Sequence, residues 1–144
     1  MSTTAKRSGR CLCGAVTFEI ELKSQHFDAC HCGMCRRWSG GPGLAVEAAA
    51  PPDIKGAENL ATFKSSEWGV REFCKVCGSH LFWRAPELNF CSTFYGALDD
   101  VDGLTFEKQI YIDHKPESYN FAEKTETMTE AEVVAQFAGD GGGT

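Results

Sequence analysis

Seven of the eight cysteines fall in three short clusters: Cys11-Leu12-Cys13, Cys30-His31-Cys32-Gly33-Met34-Cys35 and Cys74-Lys75-Val76-Cys77. Cysteines this close together share a cation easily, whereas a disulfide between such near neighbours needs unusual backbone geometry. The two pairs supply four sulfurs, the ligand number of a closed structural zinc site. The triplet supplies three, the number at zinc sites that keep one position open for chemistry. The spacing therefore predicts two zinc ions per chain. Cys11, Cys13, Cys74 and Cys77 are the expected ligands of a structural zinc, and Cys30, Cys32 and Cys35 those of a catalytic one.

A disulfide framework would require an exported chain. Met1 to Arg10 is polar and lacks the apolar core of a signal peptide, and no stretch reaches the length of a membrane span, so the expectation is a cytoplasmic protein without membrane contact. The formal charge is −6 with every cysteine neutral. Seven thiolates on two zinc ions would bring it to about −9. Such a chain has no electrostatic footprint for nucleic acid, and no pattern in it specifies an oligomeric state.

The elements that must hold these ligands read mostly with a period of two. Val16, Phe18, Ile20 and Leu22 alternate with Thr17, Glu19 and Glu21, a half-buried strand directly after the first cysteine pair. Shorter apolar runs follow at Phe27–Cys30, Gly43–Val46, Leu60–Phe63, Val70–Phe73, Leu81–Trp83, Phe90–Tyr95 and Leu104–Ile112, separated by Gly and Pro clusters. Only Thr129 to Phe137 invites a helix, with Thr129 as cap and Glu132 closing a capping box. The expected organisation is one zinc-binding, mainly β domain over residues 1–138, with a disordered tail from Gly139 to Thr144.

Pairing Cys11 and Cys13 with Cys74 and Cys77, about sixty residues away, closes a long loop through one metal. Gly14 and Gly78, each just past a ligand, suit the tight turns that aim amides at sulfur. At the triplet the fourth position is open to water, substrate or a side chain, with His31, His80 and Cys91 as candidates. Alternation turns His31 away from the sulfurs, and Cys91 lies in an apolar run where a buried free thiol is ordinary. If the second site is closed as well, the chain is a non-catalytic binding module built on two structural zincs.

Cys-x-Cys-Gly before a strand, Cys30-His31-Cys32-x-x-Cys35-Arg36-Arg37 with Ser39-Gly40 after it, Phe73-Cys74-x-x-Cys77-Gly78-Ser79 and Gly96-Ala97-Leu98-Asp99-Asp100 together resemble one family: the glutathione-dependent formaldehyde-activating enzymes, which include centromere protein V. The resemblance runs from about Gly9 to Phe121. It implies a mainly β fold of the Mss4-like, or β-tent, group with a short C-terminal helix, and the same division of the seven cysteines between structural and catalytic zinc. It also implies carbon–sulfur lyase chemistry, run towards S-hydroxymethylglutathione, with glutathione and a formaldehyde-like aldehyde as partners. The chain departs from the family pattern at Tyr119, where tryptophan is usual.

An open zinc on three thiolates could receive a thiol and lower its pKa, or polarise a carbonyl. Glutathione's carboxylates call for donors, and Arg36, Arg37 and His31, beside the triplet, are the expected substrate contacts. His31, His80 and the Asp99-Asp100 pair are the candidates for proton transfer. Trp38, Phe82, Trp83 and Tyr95 could wall a pocket or fill the core.

Overall fold

The computed structural model describes residues 6–139. The elements in order are β1 (Lys6–Arg10), β2 (Thr17–Glu21), β3 (His26–Cys30), α1 (Gly33–Ser39), β4 (Gly43–Glu47), β5 (Asp53–Lys55), β6 (Leu60–Lys64), β7 (Val70–Cys74), β8 (His80–Ala85), β9 (Phe90–Phe94), β10 (Thr105–Ile110), β11 (Glu126–Met128) and α2 (Glu130–Gly139). The expected mainly β class is the observed one. A three-stranded sheet runs β1-β2-β5, and an eight-stranded sheet runs β11-β10-β3-β4-β9-β8-β7-β6. Isolated bridges between Gly9 and Leu98 and between Leu22 and Ala48 tie the two together.

The alternation read after the first cysteine pair is what joins the sheets. Val16, Phe18, Ile20 and Leu22 are all buried and pack against Val46 of β4, Leu81 and Phe82 of β8 and Cys91 of β9. Phe18 meets Phe82 edge to face at 4.8 Å. Each such side chain contributes about 1.5–3 kcal/mol relative to an exposed one, so this face of β2 anchors the small sheet on the large one. Cys91 is a buried member of that core, apart from both cysteine clusters.

The C-terminal part returns to the large sheet through β11, which pairs parallel with β10. The capping box forms as expected: Thr129 Oγ1 accepts from the Glu132 amide at 3.2 Å, and Glu132 Oε1 accepts from the Thr129 amide at 2.8 Å. Helix α2 includes Gly139, the first residue of the expected disordered tail; residues 140–144 lie outside the described residues. Helix α1 is a correction to the reading of a single helix. It covers seven residues and starts on glycine, and its N-cap is the sulfur of Cys32, which accepts the Cys35 amide at 3.3 Å, a cap outside the usual Ser, Thr, Asp and Asn set. Among the described residues no helix is long and apolar enough to cross a membrane.

Candidate metal centres and the cavity beside them

Cys11 and Cys13 lie in the turn between β1 and β2, Cys74 ends β7 and Cys77 lies in the turn that follows it; the two regions face each other. All four sulfurs lie within 4.8 Å of one another. Cys11 and Cys13 are 3.7 Å apart at Sγ, and Cys13 and Cys74 are 3.8 Å apart. Zn–S bonds of about 2.3 Å in a tetrahedron place sulfurs ~3.8 Å apart, so the cluster has the dimensions of a four-thiolate zinc site. The left-handed backbone of Gly14 (φ 82°) and Gly78 (φ 83°) turns each chain end back on itself, and the Gly78 amide bonds the Cys74 carbonyl at 2.7 Å. Around the sulfurs, the Val16 amide donates to Cys11 Sγ at 3.3 Å. Ser79 Oγ accepts from the Leu12 amide and lies 3.2 Å from Cys77 Sγ, leaving its proton to donate to that sulfur. This hydroxyl is the main reason the Cys77 thiol is held down, to about 5.

The triplet is assembled from one local stretch. Cys30 ends β3, Cys32 caps α1 and Cys35 lies in its first turn, with the three sulfurs again within 4.8 Å of one another. Among the described residues no fourth His, Cys, Asp or Glu joins them. Hydrogen bonds from Cys30 and Cys35, with help from the Cys35 and Met34 amides, hold the Cys32 thiol far below its usual value. Helix α1 packs on the start of β4, where a Cβ at Gly43 would lie 3.4 Å from both Cβ and Sγ of Cys35.

The triplet opens on a cavity of about 190 Å³. Its walls come from Trp83 of β8, Phe90 and Phe94 of β9, Tyr111 after β10, and Val133 and Phe137 of α2. Arg71 of β7 lines it too, only 2% exposed. Its Nη2 donates towards Cys35 Sγ at 3.7 Å, while Nε and Nη1 are buried without an acceptor among the described residues. Asp28, two residues before Cys30 on β3, lines the same cavity, and burial pushes its carboxyl up to about 6. A broader hollow of about 570 Å³ lies beside the four-cysteine centre, lined by Arg10, His80, Asp99 and again Phe94.

Sequence reasoning missed Arg71 and Asp28. The signal for Asp28 was its position two residues from a ligand on a strand, which puts both on one face. For Arg71 it was a lone cation within the apolar run that precedes Cys74. The residues expected to contact substrate lie elsewhere. His31 is fully buried behind the triplet, its Nδ1 2.8 Å from the Tyr119 hydroxyl and its Nε2 2.8 Å from Gln109 Oε1. Both ring nitrogens are therefore occupied, and burial lowers its pKa. Arg36 donates through Nε to the His31 carbonyl at 3.1 Å, and Arg37 projects into solvent; neither lines the cavity.

The remaining candidates also find places. His80 stacks on Trp38 at 4.7 Å in the other hollow. Asp100 accepts the Asp102 amide at 2.9 Å, an Asx turn, while its carbonyl accepts from Arg7. Phe82 is in the core, Tyr95 packs on Phe27, and of the four aromatics read from sequence only Trp83 reaches the cavity.

Comparison with known proteins gives concordant matches. A family model described as glutathione-dependent formaldehyde-activating enzyme matches residues 6–114. A Schizosaccharomyces pombe protein named as an uncharacterized lyase is 33% identical over 131 residues, 88% of this chain and 93% of the relative. A Halomonas elongata protein provisionally named as a glutathione-dependent formaldehyde-activating enzyme is 30% identical over 122 residues, 76% of each chain. A crystal structure of a Rhodobacter sphaeroides protein superposes with a TM-score of 0.55 at 23% identity, covering 85% of this chain and 99% of that one, which is a likeness of fold.

Proposed function

The chain belongs to the family of glutathione-dependent formaldehyde-activating enzymes and has its Mss4-like fold, and on that footing we propose that it is a zinc-dependent carbon–sulfur lyase. It would add a thiol such as glutathione to a small aldehyde, or cleave such an adduct, with one structural and one catalytic zinc. The observation that carries the proposal is the triplet: three sulfurs without a fourth side-chain ligand among the described residues, facing a cavity that also contains a buried arginine. Bound by Cys30, Cys32 and Cys35, zinc would supply Lewis acidity for a thiol or a carbonyl at its open position. Cys11, Cys13, Cys74 and Cys77 would hold the other ion as a closed cross-link.

Addition forms a bond between the thiol sulfur and the carbonyl carbon. The carbonyl π pair moves to oxygen, which ends with the proton that the thiol gave up, and no oxidant or reductant is needed. The chain's own residues serve this sequence in distinct ways. Arg71 sits against Cys35 with two donor nitrogens unpartnered among the described residues, so it balances the charge of the thiolates and can donate to the oxygen as negative charge collects there. An uncompensated buried guanidinium would cost several kcal/mol, of order, so its retention beside three sulfurs suits a charge-balancing role. His31 positions rather than reacts: its side chain bonds Gln109 and Tyr119 and its amide bonds the Ile110 carbonyl at 3.1 Å, fixing the segment that carries Cys30 and Cys32. The Tyr119 hydroxyl is thus used to hold the His31 ring. A cytoplasmic setting, where thiols stay reduced, fits both centres.

The test is the rate at which glutathione and formaldehyde form their adduct, followed by NMR with and without the protein. Acceleration that vanishes in Cys32→Ser, with the fold intact, is the expected result. A rate equal to the uncatalysed one in the zinc-loaded protein would overturn the reading.

A further inference from the structure

The cavity beside the triplet is larger and more apolar than formaldehyde requires. Formaldehyde has one carbon and is little bigger than a water molecule, whose share of liquid is ~30 Å³. The cavity measures about 190 Å³. For scale, an apolar protein cavity of about 150 Å³ takes up benzene. Even with a metal ion and one thiol sulfur in place, room for a ring-sized group remains.

The walls say what kind of group. Trp68, Trp83, Phe90 and Phe137 form a contiguous aromatic set: Phe90 meets Trp83 at 5.5 Å and Phe137 at 5.9 Å, and Phe137 meets Trp68 at 5.4 Å. Val133, nearly fully buried, continues the apolar surface. The acidic members of the lining are Asp28 and Glu47, and Lys23 already pairs with Glu47 at 3.1 Å. Carboxylates in the lining disfavour an anionic substituent, and the tripeptide body of glutathione, with two carboxylates of its own, is no better matched to these walls. Arg71 supplies N–H donors for a single oxygen.

Part of this wall also lies beyond the segment that the family model matches. The family model ends at residue 114, whereas Val133 and Phe137 belong to α2. The helix is held there by capping, by a bond from the Glu130 amide to Asp113 at 2.9 Å and by a His114–Glu130 pair at 2.8 Å. The metal-ligand segment and most of the aromatic wall lie within the matched residues, and α2 closes the cavity from beyond them.

We propose that α2 and the aromatic wall select the electrophile, and that this chain's preferred substrate is an uncharged aldehyde bearing an apolar group of about phenyl or branched-alkyl size. The inference rests on the thiol-addition reading above. The aldehyde hydrogen and carbonyl face the triplet, the oxygen faces Arg71, and the substituent lies between Trp83, Phe90 and Phe137. The step is the same addition, with a sulfur–carbon bond formed and the thiol proton ending on oxygen.

Two readouts on the purified, zinc-loaded chain test it. The first is quenching of tryptophan fluorescence by benzyl alcohol, an unreactive probe of the cavity wall. The second is kcat/KM for glutathione addition to benzaldehyde against formaldehyde. Saturable quenching and a benzaldehyde preference are expected. In Phe137→Ala the benzyl alcohol Kd should rise, and the preference ratio should fall, by about tenfold, the order expected for a lost apolar contact in a pocket. Absence of saturable quenching, or a formaldehyde preference that Phe137→Ala leaves unaltered, would overturn the inference. If benzyl alcohol binds in a Phe137-dependent way but no aldehyde reacts, the apolar occupant stands and the thiol-addition reading fails.

Discussion

The two cysteine centres place the same side chain in opposite surroundings. At the four-cysteine centre, sulfurs from two regions about sixty residues apart converge at tetrahedral spacing, and the polar groups around them are backbone amides and the Ser79 hydroxyl. Among the described residues no buried side-chain nitrogen or oxygen there lacks a partner, and a metal held by the four sulfurs would cross-link β1-β2 to β7-β8. The triplet comes from a single strand-to-helix junction and cross-links nothing distant. Its surroundings are an arginine with donor nitrogens unpartnered among the described residues, a carboxyl raised by burial and an apolar cavity. Ligand number alone separates a closed from an open zinc. What faces the missing position would give an open one its chemistry.

The largest effect expected from this contrast is on folding. Metal binding at a structural zinc site contributes on the order of 10 kcal/mol to folding, more than the whole stability of a typical small domain. Cys74→Ser should therefore abolish cooperative thermal unfolding and the dispersed NMR spectrum of a folded β protein. Cys35→Ser should keep both, bind about half the zinc and lose adduct formation. Equal unfolding of the two variants would erase the distinction and make the triplet a second structural site.

A smaller effect sharpens the role of the cavity. Arg71→Met should preserve the fold while weakening thiol binding by tenfold or more, about 1.4 kcal/mol, as read by calorimetry with glutathione. Arg37→Ala should change the same affinity by less. The opposite ranking would move the substrate onto the exposed face of α1. Smallest is Tyr119→Phe, which removes the His31 partner from a buried imidazole and should lower stability by about 1 kcal/mol, seen as a drop in Tm with zinc content unchanged. No change in Tm would mean that His31 does not depend on that hydroxyl.

Much of this was legible because it is local. The cysteine spacings, the alternation of β2 and the capping box of α2 each depend on residues within a few positions of one another. Helix α1 was not legible, because seven residues starting on glycine carry no 3.6-residue pattern and a cysteine cap is not a recognised start signal. Arg71 was missed for a different reason. Its neighbours Trp83 and Phe63 are set by strand register, which the sequence does not display, whereas Arg36 and Arg37 were conspicuous only by adjacency to Cys35. His31 shows both sides: alternation correctly turned it from the sulfurs, yet its burial against Gln109 and Tyr119 depends on β10 and on the segment after it.

The central claim is that one centre is closed and the other open to a thiol, and X-ray absorption at the zinc edge, taken with and without glutathione, tests it most directly. The account predicts two zinc ions per chain, with the average sulfur count rising when glutathione is added because only the triplet zinc gains a neighbour. Two zincs with four sulfurs each, unchanged by glutathione, would contradict it and leave the chain a scaffold built on metal.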